Sequence, residues 1–89
     1  EGSAVENVYK PLGGAVEAVE FTATATAKFL DTPLKDLGRR LKPGILVAAI
    51  AREGKTIIPD GSTAIRAGDK VIIMAKSIFL QELDEILLE

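Results

Sequence analysis

The 89-residue chain contains no cysteine and no histidine. Without Cys there is no disulfide framework and no thiolate chemistry. Without His the usual general base and the commonest transition-metal ligand are both missing, so the chain is not expected to be an enzyme. Aromatic side chains are also scarce: three Phe, one Tyr and no Trp leave almost no platform on which single-stranded nucleic acid bases could stack. The formal net charge of -2 offers no general attraction to a phosphate backbone. A nucleic acid polymer is therefore not an expected partner. No apolar run approaches the roughly 20 residues of a membrane-spanning helix. Direct membrane insertion is not expected, and a cytosolic location is.

What is present suits one small folded unit. A hydrophobic share of 47% with 27% charged residues is ordinary for a globular domain, and the length allows one modest aliphatic core. A second, nucleotide-binding domain does not fit in this length. The opening Glu1-Gly2-Ser3-Ala4 has no Met, and the chain is expected to be a piece of a longer protein.

Ser3 to Leu12 reads as a short helix, with Ser3 as N-cap and Glu6 completing a capping box, ended by Pro11 and Gly13-Gly14. Residues 1–14 are accordingly expected to form an N-terminal linker or short helix, and residues 15–89 the folded lobe. From Ala15 to Phe29 the residues alternate, Val19, Phe21, Ala23, Ala25 and Ala27 against Glu20, Thr22, Thr24 and Thr26. Period two marks a half-buried strand, and the Thr row suits a solvated strand face. Next comes a helix start, with Thr32 as N-cap, Pro33 at the first helical position and Asp36 near the positive dipole end. Leu30, Leu34, Leu37 and Leu41 recur at helical spacing toward the sheet. Arg39, Arg40 and Lys42 are cations at a helix end that Pro43-Gly44 stops.

Ile45 to Ala51 is a continuous apolar run and reads as a strand buried on both faces. Arg52-Glu53-Gly54-Lys55 is a hairpin turn, Thr56 to Ile58 a short returning strand, and Pro59 its end, because proline has no N–H to donate. Asp60-Gly61 and Gly68-Asp69 are turns, with the Asp carboxylates placed to accept backbone N–H groups. Val71 to Ala75 is the next strand. Ser77 to Glu89 reads as a terminal helix with Phe79, Leu80, Leu83, Ile86 and Leu87 on one face. The fold class is α+β, a mostly antiparallel small sheet of about four strands with flanking helices. The carboxylates of Asp60 and Asp69 lie in turns where backbone capping explains them, and no nucleophile with an adjacent base is visible. No spacing of Asp or Glu supports a metal site.

The string Ala48-Ala49-Ile50-Ala51-Arg52-Glu53-Gly54-Lys55-Thr56-Ile57-Ile58-Pro59-Asp60-Gly61-Ser62-Thr63, continued by Ala67-Gly68-Asp69-Lys70-Val71, resembles the TrkA C-terminal domain, also called the RCK C-terminal lobe. Its pattern is a strand ending in Arg, a Gly turn, a strand ending in Pro-x-Gly, and Gly-Asp before another strand. Pro33-Leu34-Lys35-Asp36-Leu37 matches as the small helix start, and the likeness runs from about Val16 to the C-terminus. The resemblance implies a cytoplasmic regulatory lobe of a Trk-type potassium uptake protein, peripheral to the inner face of the membrane, pairing as a homodimer and acting on a membrane potassium transporter subunit. It further implies a small effector such as cyclic di-AMP, with Leu46, Arg52, Ile58 and Pro59 as the matching candidate contacts. Branched aliphatics would enclose a flat base while a guanidinium meets phosphate. NAD or ATP is expected only on a separate Rossmann lobe, because nothing resembles a GxGxxG turn and the only paired glycines, Gly13-Gly14, are expected to follow no strand. The alternative is a small-ligand sensor lobe attached to a different membrane transporter, an anion carrier or a cation/proton antiporter.

Overall fold

The computed structural model describes residues 3–88. Alternation places Val19 and Phe21 of strand β2 (Glu17–Thr22) on one face, where both are fully buried. They lie opposite Ile73 and Val71 of β5 (Lys70–Ala75), which in turn lie opposite Val47 and Ile50 of β3 (Ile45–Arg52). A short strand β4 (Lys55–Ile57) extends the sheet beyond β3, and β1 (Val5–Tyr9) extends it beyond β2. The result is a five-stranded sheet in the order β1-β2-β5-β3-β4, with every adjacent pair antiparallel. The α+β class holds, with one strand more than expected.

Strand β3 is not buried on both faces. Its ladder with β5 shifts register between Val47 and Ala49, so a bulge at Ala48 turns both Val47 and Ile50 toward the core although they are three apart. This is why the run Ile45 to Ala51 does not alternate. Leu46 points the other way and is 61% exposed.

The covered face is closed by segments with little regular structure. Phe29, Leu37, Ile65, Leu80, Leu83, Ile86 and Leu87 are all buried against the strands. Helix α1 (Leu34–Leu37) is a single turn, continued by a 3-10 turn at Gly38–Arg40. Its first N–H groups are satisfied by main chain: Leu34 and Lys35 donate to the carbonyls of Thr63 and Gly61 at 2.8 and 2.9 Å. Thr32 is not the cap; Pro33 occupies that position, and among the described residues no side chain caps the turn.

The expected terminal helix is a single 3-10 turn, Leu83–Ile86. Its apolar stripe is correct in composition, except that Phe79 is exposed, but its backbone is engaged elsewhere. Val5 N–H donates to Gln81, Leu83 N–H to Ser3, Lys42 N–H to Ile86 and Leu88 N–H to Arg40, so the segment is stitched to two other parts of the chain and keeps only the short bonds of its 3-10 turn to itself.

The short helix expected over Ser3 to Leu12 is also replaced, by strand β1 and a turn at Leu12–Gly14. Ser3 does not form a capping box with Glu6. Its buried hydroxyl oxygen accepts from Thr24 N–H at 2.9 Å and lies 3.3 Å from the Thr24 hydroxyl. That contact helps end β2 at Thr22, where the alternating pattern would have continued. Ala23 then donates to Asp69 and accepts from Gly68, and the chain folds back to bury Phe29.

Candidate functional site

Two neighbouring places on β3 carry the side chains expected to matter. The first is the corner at its C-terminal end. Glu53 and Gly54 both have positive φ, 51° and 79°, as a tight two-residue hairpin between β3 and β4 requires. The hairpin places Arg52 beside the turn that enters β5. Its Nε donates to Asp69 Oδ1 at 2.9 Å, and its Nη2 donates to Asp69 Oδ2 at 2.7 Å and to the Ala64 carbonyl at 2.8 Å. This is the bidentate fork that guanidinium and carboxylate planes favour. Asp69 Oδ2 also accepts from Arg66 N–H at 2.8 Å.

Asp69 is 2% exposed and Arg52 20%. Burial, the largest influence on the Asp69 carboxyl, pushes its pKa up. The Arg52 hydrogen bonds, the Arg66 N–H and the two guanidinium charges together outweigh burial and hold it below the usual carboxylate range. The Asp69 hydrogen bonds in turn raise Arg52. The pair is a lock between β3 and the start of β5.

The second place is a groove of about 260 Å³ along the other half of β3. Strand β4 pairs only with Ile50, Ala51 and Arg52, so among the described residues β3 has no ladder partner on that side from Ile45 to Ala49. The groove fills this gap. Leu34 and Leu41 from the α1 region, Leu46 and Val47 from β3, and Pro59 from the loop after β4 form much of its apolar wall, and Lys35 and Asp60 are its charged lining residues. The loop is pinned. Asp60 Oδ1 accepts from the Ser62 N–H and hydroxyl at 2.9 and 2.7 Å, and the Thr63 hydroxyl lies 3.3 Å from the same oxygen. The Ser62 hydroxyl and N–H are the leading causes that hold the exposed Asp60 carboxyl below its ordinary pKa. A Cβ at Gly61 would meet the Lys35 Cβ at 3.2 Å, so glycine lets this loop approach α1.

Of the expected effector residues, Leu46 and Pro59 line one groove together, and Ile58 adjoins Pro59 at 78% exposure. Arg52 is at the other end of β3, with Nε and Nη2 committed to Asp69 and Ala64. Lys35 and Asp60 belong to the groove and were not among the expected residues. Their proximity depends on the Lys35 N–H to Gly61 bond between distant segments, for which no local spacing gives a signal.

The uncovered face of the sheet continues from this groove. Tyr9, Ala18, Met74 and Leu46 stand opposite one another across β1, β2, β5 and β3; the next row is Asn7, Glu20, Ile72 and Ala49, polar on β1 and β2 and apolar on β5 and β3. Tyr9 and Leu46 are exposed, the others half-buried. The apolar row from Tyr9 to Leu46 is thus bordered by a row that is half polar.

Gly13-Gly14 does follow a strand, β1, but leads into β2 rather than into an α-helix, so it is not the strand-to-helix turn that cradles a dinucleotide. Among the described residues no helix is long and apolar enough to cross a membrane.

Comparison with known proteins agrees with this architecture. The TrkA-C domain family matches residues 18–88. The chain is 29% identical over 82 residues to "Trk system potassium uptake protein TrkA" of Azorhizobium caulinodans, covering 92% of this chain and 18% of that protein. It is 37% identical over 65 residues to "Trk system potassium uptake protein TrkA homolog" of Archaeoglobus fulgidus, covering 73% of this chain and 14% of the relative. A Pyrococcus abyssi protein of the same description is 30% identical over 82 residues, covering 92% of this chain and 35% of the relative. The chain thus spans less than a fifth of the length of the Azorhizobium and Archaeoglobus relatives. With the match extending from β2 through the C-terminal 3-10 turn to Leu88, the chain belongs to the TrkA-C domain family.

Proposed function

We propose that this domain is the regulatory and dimerisation lobe of a Trk-type potassium uptake protein. In this reading it lies in the cytoplasm, peripheral to the inner face of the membrane, and reaches a potassium transporter subunit through the rest of its parent protein. Two copies pair through the uncovered sheet face, and the groove at Leu46 and Pro59 takes a small effector such as cyclic di-AMP. The observation that carries the reading is the continuity of an apolar groove with an exposed apolar row, joined at Leu46. An aliphatic wall with Lys35 in the lining suits a flat base carrying an anionic group. Ile58 and Pro59 form the outer lip. Arg52 enters as the residue that fixes the β3–β4 hairpin, and through it the position of Pro59.

Calorimetric titration with cyclic di-AMP tests this. Saturable heat at one ligand per two chains, abolished by Leu46→Asp, is the expected result. An absence of heat with the wild type would leave a lobe that takes no cyclic dinucleotide.

A further inference from the structure

Glu17 is the first residue of β2 and lies opposite Ala75, in phase with the buried Val19 and Phe21. A strand's core face calls for an apolar residue here, and a carboxylate stands instead. Its side chain is only 15% exposed. Oε1 is fully buried with no hydrogen-bond partner among the described residues, and Oε2 has Lys10 Nζ at 3.8 Å, a long contact to an exposed side chain. Buried polar groups are nearly always paired, so an orphan carboxylate oxygen calls for an explanation.

A cavity of about 280 Å³ adjoins this carboxylate. Val16, Ala75, Ile78 and Phe79 supply apolar walls, and Ser77 is its other polar side chain. Ser77 sits at φ 62°, a conformation uncommon for a residue with a side chain, just after β5 ends. Among the described residues there is no cluster of three acidic, His or Cys groups to hold a metal ion. One carboxylate and one hydroxyl above aliphatic walls do not provide the six or more oxygens of a calcium site. They suit a small cation with an apolar body. The terminal torsion of a glutamate is broad, so a modest rotation brings the unpaired oxygen to a donor in the cavity.

We propose that this cavity is a binding site for a small primary alkylammonium compound. The ammonium group donates to the Glu17 carboxylate and the Ser77 hydroxyl, and the alkyl body packs against Val16, Ala75 and Ile78. Phe79, exposed at the rim, closes over it. Lys10 acts as the internal competitor, a weakly held ammonium that the ligand displaces. The site is on the opposite side of β5 in strand order from the groove at Leu46 and does not depend on it.

The test is an amide-resolved NMR titration of the 89-residue chain with n-butylammonium chloride, against matched sodium chloride and against n-butanol. Expected are saturable shifts confined to the amides around Glu17, Ser77 and Phe79, in the millimolar range and absent with butanol. Glu17→Gln, which keeps the shape and removes the charge, weakens binding tenfold or more while its spectrum stays folded. Lys10→Ala strengthens binding several-fold. No saturable shift, an equal response to butanol, or unchanged affinity in Glu17→Gln would overturn the proposal and leave the cavity to solvent.

Discussion

The two ends of β3 are built in opposite ways. At Arg52 the strand end is over-determined: a two-residue turn and the Ala64 carbonyl fix the arginine, and its bidentate fork and the Arg66 N–H meet on one buried carboxylate. At Leu46 the same strand lacks a ladder neighbour on one side among the described residues, leaves a large aliphatic side chain 61% exposed, and borders a groove. Both ends bear residues that motif position alone would nominate for ligand contact. Their chemistry separates them, because the guanidinium commits its Nε and Nη2 donors to a buried carboxylate and a carbonyl and so serves the fold, whereas the side chain of Leu46 is uncovered.

The largest expected effect comes from breaking the lock. Arg52→Ala leaves the Asp69 carboxylate buried without its counter-charge, which is expected to destabilise the domain by about 3 kcal/mol and lower Tm by roughly 10–20 °C, read by thermal melting. The same corner predicts a pH response. Because Asp69 titrates below its unfolded value of about 3.9, it contributes stability that is fully present above that pH and is lost as pH falls through the folded pKa. Urea midpoints should hold from neutral pH to about pH 5 and decline below about pH 4. Asp69→Asn, less stable at neutral pH, should show a shallower decline.

Gly44→Ala tests the opposite end without touching the groove wall. Gly44 has φ 86°, and a Cβ there would overlap the Lys76 carbonyl, to whose residue Gly44 is also hydrogen-bonded. A loss of about 2 kcal/mol in urea unfolding is expected. Ser3→Ala removes the hydroxyl that holds Thr24 and should be milder, about 1 kcal/mol by the same measurement. Smallest is the effect on stability of Leu46→Asp, within about 0.5 kcal/mol, because the side chain is already solvated in the single chain. Its effect should appear in association.

Part of the core was legible in the sequence because strand periodicity survives locally: Val19 and Phe21 needed only alternation, whereas Val71 to Ala75 is apolar throughout and read as a strand without showing which face is core. The Arg52 hairpin and the Gly68-Asp69 turn were legible because Gly and Asp have few other uses at such spacing. The termini were not. The stretch from Ser77 to Leu88 has a helical apolar stripe, and Leu80, Leu83, Ile86 and Leu87 are indeed core, but two distant segments take its backbone groups. Likewise Ser3 and Glu6 look like a capping box until Thr24 claims the serine. The Arg52 partner escaped for a related reason, since nothing local joins Arg52 to Asp69 across the intervening strand and loop.

The most direct measurement is the solution mass of wild type and of Leu46→Asp by sedimentation equilibrium, with thermal melts run in parallel. The predicted result is a wild-type mass of two chains, reduced to one chain in a variant that melts as a folded domain. A wild-type mass of one chain throughout the micromolar range, or a Leu46→Asp variant that still pairs, would contradict the assignment of the uncovered end of β3 to partner binding.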